Sequence, residues 1–100
     1  MNNKENLKKL IGKSFTATPT PDSPWVTTSN GNDNEKDYYR DVYDIDLNTG
    51  NRVPVYMYGE SCTVKEVDIN AETVKLFNNH EKYLFEISFK QFSTDFGVEL

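Results

Sequence analysis

The chain has 100 residues, 16 acidic and 11 basic, and a formal net charge of −5. Its length fits a single domain over residues 1–100, because domains usually span roughly 100–150 residues. The excess of acidic residues argues against direct nucleic-acid binding, which requires Lys and Arg to neutralise phosphates. No apolar run approaches the roughly 20 residues of a membrane-spanning helix. The one cysteine excludes a disulfide framework and a cysteine-based structural metal site.

The N-terminal segment lacks the apolar core of a secretory signal, because Leu7, Leu10 and Ile11 stand among Lys and Asn residues. Since Cys62 has no cysteine to pair with, we expect a reducing, cytoplasmic compartment. A mature secreted form, from which a signal has been removed, is the alternative. The short, acidic and Asn-rich composition is typical of accessory proteins that bacterial phages and mobile elements carry.

The first predicted element is a short helix over residues 3–11, where apolar side chains recur at helical spacing. Asn3 and Gly12 are suited to cap its two ends. A strand is expected over residues 13–18. Residues 19–37 form a predicted loop, since three prolines precede a run of Ser, Thr, Asn, Gly and Asp. A loop of this length is uncommon in a small domain and is either functional or disordered.

Residues 38–88 alternate apolar and polar side chains, which predicts antiparallel strands joined by short turns. Gly50 lets one of these turns adopt a positive φ. Pro54 restricts its segment to an edge strand or an interrupted strand. The alternation slips by one residue between Val64 and Val67, and this slip predicts a β-bulge.

The same alternation assigns faces to two of the predicted strands. In the first strand the apolar face is predicted to hold Tyr39, Tyr43, Ile45 and Leu47, and the solvated face Arg40, Asp44 and Asp46. In the second strand Tyr56 and Tyr58 lie opposite Val53, Val55 and Met57. The two tyrosines face solvent if the aliphatic side is the core. Alternatively, the N-terminal helix covers them and they belong to the core.

The tail over residues 89–97 places Phe89, Phe92 and Phe96 at spacings of three and four, which predicts a helical or 3-10 turn that plugs the end of the sheet. The predicted fold is mostly β, bordering on α+β. A short N-terminal helix precedes a five- to six-stranded antiparallel meander that closes into a small barrel. This order of elements is similar to that of small barrels of the Src-homology type. The similarity concerns architecture alone and carries no family motif.

Asp44, Asp46 and Asn48 form a D-x-D-x-N pattern, which opens the calcium loop of an EF-hand. The pattern departs from that loop in two ways. Its glycine stands at position seven instead of six, and position twelve is Val55 instead of a bidentate Glu. The favoured interpretation is a solvated strand face that runs into an Asn-rich turn, and no cofactor is expected.

An acidic run over residues 33–46 carries −4 of the net charge. Its acidic members are Asp33, Glu35, Asp37, Asp41, Asp44 and Asp46. One interpretation is a face that stays in water. The other is a surface for a basic protein partner, because complementary charges steer association. Trp25 in the predicted loop, with Tyr56 and Tyr58 if they face solvent, supplies the aromatic anchors that are typical of interfaces.

The sequence contains no phosphate-binding loop, zinc-protease or nucleophile-elbow motif. It predicts a non-enzymatic protein-binding module, of accessory or inhibitor type, that contacts a basic partner through the acidic run and these aromatics. The alternative is a small-ligand- or metal-binding domain or an enzyme that uses Asp44, Asp46 and His80. A Cys62–His80 catalytic pair has no supporting signature, and Cys62 is expected to be buried and inert.

Overall fold

The structure is a computed structural model that describes residues 5–20, 23–27 and 41–99. These ranges contain one 3-10 helix, seven strands and one α-helix. In chain order the elements are the 3-10 helix Glu5–Leu10, β1 (Ser14–Thr16), β2 (Val26–Thr27), β3 (Asp41–Ile45), β4 (Arg52–Met57), β5 (Ser61–Asp68), β6 (Thr73–Asn78), β7 (Leu84–Ser88) and α1 (Phe89–Phe96). The chain is therefore mostly β, as predicted. The predicted cap Asn3 and the predicted strand residues 38–40 lie outside the described residues.

The strands form two antiparallel sheets. The four-stranded sheet has the order β1-β5-β6-β7, and the three-stranded sheet has the order β2-β3-β4. β2 lies inside the segment that was predicted to be a loop, and Val26 pairs with Val42 of β3. This part of the loop prediction is wrong because the pairing partner is distant in sequence, so local composition does not reveal it. The closed barrel stays a prediction.

Three local signals of the sequence are confirmed. Gly50 has a φ of 79° in the β3–β4 turn, a conformation that glycine adopts without steric cost. Pro54 lies in β4, which is an edge strand of its sheet. The pairing of β5 with β6 shifts register between Val64 and Glu66, where the bulge was predicted.

Aromatic side chains from both sheets and α1 meet in one core. The Tyr56 ring lies 5.4 Å from that of Phe85 and 4.8 Å from that of Phe96, measured between centroids. Phe92 contacts Phe96 at 5.6 Å, and Phe89 is also buried. The predicted aromatic plug is therefore confirmed, and it takes the form of a complete α-helix.

The elements at the two ends of the chain close this core. Ser88 caps the N-terminus of α1 by accepting the backbone N–H of Gln91, and Gly97 ends the helix with a φ of 66°. In the 3-10 helix Leu7 is buried, whereas Ile11 beyond its end is exposed. Neither helix in the described ranges has the length and apolarity needed to cross a bilayer.

Candidate interaction surface

Tyr56 is fully buried, so its predicted role as a solvent-facing partner contact is wrong. The pairing of β3 with β4 skips one residue of β4: Tyr56 pairs with Val42, and the following pair joins Tyr43 to Pro54. Val55 is thus the extra residue of a β-bulge, which interrupts the alternation of side chains. Val55 and Tyr56 are consequently both buried, although they are neighbours in sequence.

The Tyr56 hydroxyl belongs to a buried hydrogen-bond network around Asp95. It donates to Asp95 Oδ2 over 2.6 Å, and Ser23 Oγ donates to Asp95 Oδ1 over 2.8 Å. Gln91 Nε2 donates to the Tyr56 hydroxyl oxygen over 2.9 Å. Burial raises the pKa of Asp95 although two hydroxyls donate to its carboxylate. The network joins the segment before β2, strand β4 and helix α1, so these residues serve the fold.

Asp46 is also buried, so its predicted role in partner binding is wrong. Asp46 Oδ1 accepts the backbone N–H of Leu84 over 3.0 Å and that of Asn48 over 3.3 Å. Asp46 Oδ2 accepts the Thr49 hydroxyl over 3.0 Å. The bond from Leu84 is the main cause that lowers the pKa of Asp46, and those from Asn48 and Thr49 act in the same direction. Asp46 thereby attaches the β3–β4 turn to β7.

The predicted faces of β3 are exchanged. Val42 and Asp46 are buried, whereas Ile45 and Leu47 are 42% and 45% exposed. The reason is that Val42 pairs with the buried Tyr56, and residues directly opposite each other share one face of a sheet. Tyr39 and Arg40, which were assigned to the same strand, lie outside the described residues.

The D-x-D-x-N segment has its carboxylates engaged with its own chain. Asp44 is half-buried, and its Oδ1 accepts the backbone N–H of Ile45 over 2.7 Å. Asp46 holds the turn as described, and Asn48 lies exposed in that turn. Within residues 5–20, 23–27 and 41–99 no group of three or more His, Cys, Asp or Glu side chains is arranged to hold a metal ion. The calcium hypothesis gains no support from this arrangement.

Cys62 is fully buried, as predicted. Burial is the main cause that raises the pKa of its thiol to about 12. The nucleophilic thiolate is therefore scarce at neutral pH. His80 is exposed in the β6–β7 turn, where its backbone N–H donates to Asn78 Oδ1. Asp46 accepts three hydrogen bonds within the fold and Cys62 is fully buried, so the groupings with His80 stay hypotheses.

The outward face of the four-stranded sheet carries polar side chains that bond to one another, beside the half-buried Phe77 and Leu84. Hydrogen bonds of 2.7–3.2 Å join a row of four side chains, namely Ser14, Thr63, Asn79 and Ser61. The Thr73 hydroxyl donates to Glu86 over 2.7 Å, and Lys75 lies 3.5 Å from a carboxylate oxygen of Glu66. A face whose polar groups already bond to one another gains little from covering by another protein.

The outward face of the three-stranded sheet has a different chemistry. We name it the Tyr43 face, and it consists of Asp41, Tyr43, Ile45, Arg52, Pro54 and Met57. Ile45 is 42% exposed and Met57 is 41% exposed. The described chain has five exposed large hydrophobic side chains, and all except Ile11 belong to the hairpin of β3 and β4 or directly follow it. Exposed apolar surface is thus concentrated on and around this face.

Two opposite charges stand at the ends of the Tyr43 face. Asp41 pairs with Met57 at one end, and Arg52 pairs with Ile45 at the other. The Arg52 guanidinium carbon lies 4.8 Å from the centroid of the Tyr43 ring, which is a cation–π contact.

Asp41 is the one described residue with a buried side-chain oxygen that has no hydrogen-bond partner in the described chain. Burial raises the pKa of this carboxyl. A buried acceptor without a donor costs about 1–3 kcal/mol. This oxygen is covered by the chain itself, so its missing donor is a cost to the fold and does not mark a binding point.

The other predicted contact residues have mixed outcomes. Trp25 is half-buried and packs against the core. Tyr58 is 52% exposed and directly follows β4. Asp33, Glu35 and Asp37 lie outside the described residues.

Ile45, Arg52 and Met57 are surface residues that the sequence pattern does not reveal. Ile45 and Met57 alternated like core residues, and Arg52 stood alone as a charge beside a turn. One signal for this face is present in the sequence. If Val42 is taken as a buried position, the alternation places Asp41 and Ile45 together on the opposite, outward face.

Comparisons with models of protein families, with curated proteins and with solved structures find no match.

Proposed function

We propose that the chain is a non-enzymatic protein-binding module that contacts a basic partner through the Tyr43 face. The observation that supports this is the concentration of exposed apolar side chains on one hairpin, including Ile45, Leu47 and Met57. Apolar patches rimmed by polar residues mark interaction sites on small proteins. Within the described residues, the outward face of the four-stranded sheet has no exposed large hydrophobic side chain.

The acidic run supports a basic partner near this face, whereas the Tyr43 face itself carries one acidic and one basic side chain, Asp41 and Arg52. The net charge is −5, and residues 33–46, which include β3, carry −4 of it. Complementary potentials raise association rates and select the partner more than they raise affinity. We propose that the module acts as an accessory or inhibitor protein of the kind that phages and mobile elements carry. The buried free thiol of Cys62 favours the reducing cytoplasm as its place of action.

We also propose that the two sheets form a barrel-like enclosure of the Src-homology type. Two bonds that link the hairpin of β3 and β4 to the other sheet support it. Asn78 Nδ2 of β6 donates to the Val55 carbonyl oxygen of β4 over 2.9 Å. The Leu47 N–H donates to the Leu84 carbonyl oxygen of β7 over 2.6 Å.

Affinity capture from the cells of origin with matched variants tests the proposed function. Met57→Lys adds a positive charge to the Tyr43 face, whereas Thr16→Lys adds the same charge at an exposed position of β1 in the other sheet. We expect the wild type and Thr16→Lys to capture the same protein, and Met57→Lys to capture at least about tenfold less of it, which is a loss of about 1.4 kcal/mol. The association rate of that protein should fall as salt is raised.

Three results would contradict the proposal. The first is an undiminished capture by Met57→Lys, and the second is an equal loss with both variants. The third is the absence of any captured protein at all. A captured protein whose association rate ignores salt would refute the basic partner while leaving the location of the surface intact.

A further inference from the structure

We infer that, when no other partner is bound, the Tyr43 face is covered by the Tyr43 face of a second copy of the chain. This goes beyond the proposed function, because it identifies what occupies the face in the isolated protein. The two copies meet face to face around a two-fold axis, and Asp41 of each copy pairs with Arg52 of the other.

The positions of the two charges carry this inference. Asp41 and Ile45 are four residues apart on β3, which corresponds to about 13 Å along the strand. Arg52 lies beside Ile45, and Met57 lies beside Asp41. Consider a two-fold axis that lies in the interface, perpendicular to the strands, at the level of Tyr43. Rotation about this axis places Arg52 of the second copy above Met57, which is one strand spacing from Asp41. The same operation forms the second, identical pair, as an isologous interface requires.

The chemistry of the two ends is complementary. Asp41 is a half-buried acidic residue at one end of the face, and a guanidinium offers several N–H donors in the planar arrangement that a carboxylate accepts. The Tyr43 ring already holds Arg52 over the face at 4.8 Å. Less side-chain freedom is therefore lost when Arg52 binds the second copy. Ile45 and Met57 leave water in the same event.

The edge of β4 favours stacking of faces over pairing of strand edges. Its Val55 carbonyl accepts Asn78 Nδ2 over 2.9 Å, and its Met57 N–H donates to Glu60 Oε1 over 2.9 Å. Pro54 has no N–H to donate. A second copy thus finds backbone groups of this edge already bonded, whereas Ile45, Arg52 and Met57 are exposed on the face.

The interface is small. The face consists of six residues on two short strands, whereas each partner in an ordinary stable complex contributes roughly 20–30 residues. We therefore expect a weak dimer that a tighter heterologous partner displaces from the same face.

Analytical ultracentrifugation of the full chain from about 10 μM to about 1 mM covers the affinities of such a dimer. We expect the average mass to rise from 11.5 kDa towards twice that value. Asp41→Lys alone and Arg52→Glu alone should each weaken association at least about tenfold, because two like-charged contacts replace two opposite ones. The double variant should associate like the wild type.

A mixture of the two single variants gives the sharpest result. Each variant repels itself, but a mixed dimer joins the introduced lysine of one copy to the introduced glutamate of the other at one end, and the native Arg52 to the native Asp41 at the other end. We expect the mixture to dimerise while neither component does. The matched control reverses charge on the other sheet, with Lys75→Glu and Glu86→Lys, and should leave the dimer unchanged. Neutral variants Asp41→Asn and Arg52→Gln replace any charge reversal that prevents folding, as judged by circular dichroism.

A constant mass of 11.5 kDa over the whole range would overturn the inference, as would a dimer that the control pair weakens as much as the face variants do. A mixture that stays monomeric while the wild type dimerises would overturn the Asp41–Arg52 pairing. None of these results bears on capture of another protein, so failure of the dimer and failure of the proposed function are told apart.

Discussion

Asp46 gathers three donors around one carboxylate at the point where the β3–β4 turn meets β7. Two of them, the Asn48 N–H and the Thr49 hydroxyl, come from the turn itself, and the third is the Leu84 N–H from a distant strand. Hydrogen bonds to an ionised group are among the stronger ones in proteins. A residue that composition assigns to the charged surface therefore stabilises the contact between the two sheets.

Replacing Asp46 by Asn should destabilise the protein in a pH-dependent way. The folded state lowers the pKa of Asp46 below its ordinary value of 3.8, so the ionised carboxylate contributes stability above that pH. This contribution is lost as the pH falls through the lower pKa of the folded state. Asp46→Asn should therefore melt at a lower temperature than the wild type at pH 7. The difference should shrink as the pH falls below about 4.

Asp44→Asn is the matched control for this measurement, because Asp44 accepts only the N–H of its neighbour Ile45 among the bonds found for it. Thermal unfolding followed by circular dichroism between pH 2.5 and 7, roughly the range over which carboxylates titrate, provides the comparison. A difference between Asp46→Asn and the wild type that stays constant with pH would contradict the role of the ionised carboxylate.

Helix α1 has a capping residue at each of its two ends. Ser88 supplies the N-terminal cap, and Gly97 supplies the left-handed residue at its end, with its N–H bonded to the Ser93 carbonyl. The buried side of the helix carries Phe92, Phe96 and Asp95. An eight-residue helix is marginal by itself, so both the cap and this buried side are needed to hold it in place.

Removal of the cap by Ser88→Ala should lower the free energy of unfolding by about 1 kcal/mol, since the Gln91 N–H loses its acceptor. Ser88→Asp retains an acceptor at the same place and adds a negative charge at the positive end of the helix dipole. It should be close to the wild type in urea unfolding. Equal destabilisation by Ala and by Asp would show that the strand pairing of Ser88, and not its capping bond, is what the substitution disturbs.

For the molecule as a whole, the decisive feature is that buried polar groups join separate elements across the core. Asp95 of α1 accepts hydrogen bonds from Ser23 and Tyr56, and Asn78 of β6 donates one to the Val55 carbonyl oxygen. Unpaired, each of these buried groups would cost stability. Opening one part of the core exposes several such groups together, so we expect the domain to unfold as one unit.

The reactivity of Cys62 measures how often the domain opens, because its thiol is fully buried and its pKa is raised to about 12. Alkylation at neutral pH should be at least about 10³-fold slower in the native protein than in the urea-unfolded chain, because reaction requires opening of the core. Mass spectrometry of timed samples measures the rate. Rapid labelling of a chain whose circular dichroism stays native would show that the region around β5 opens separately from the rest.

The features that could be predicted from the sequence depend on neighbouring residues. Gly50 determines the conformation of its own turn, and Phe89, Phe92 and Phe96 lie on one side of a helix because of their spacing alone. The slip between Val64 and Val67 is likewise visible in the alternation of a single strand.

The features that could not be predicted depend on partners far along the chain. Tyr56 turns inward because of a bulge at Val55, whose carbonyl is bonded to Asn78. Asp46 is buried because Leu84 supplies a donor 38 residues later. The Tyr43 face was therefore only partly predictable: Asp41 is a predicted contact residue that belongs to it, whereas Tyr56 and Asp46 belong to the interior.

The Asp95 network also sets an order of events during synthesis. Ser23 and its acceptor Asp95 are 72 residues apart in the chain. At about 5–20 residues per second, a ribosome needs roughly 4–14 s to make the stretch between them. During that time the segment before β2 has no access to its native acceptor. The nascent domain consequently completes its fold only after α1 has left the ribosome.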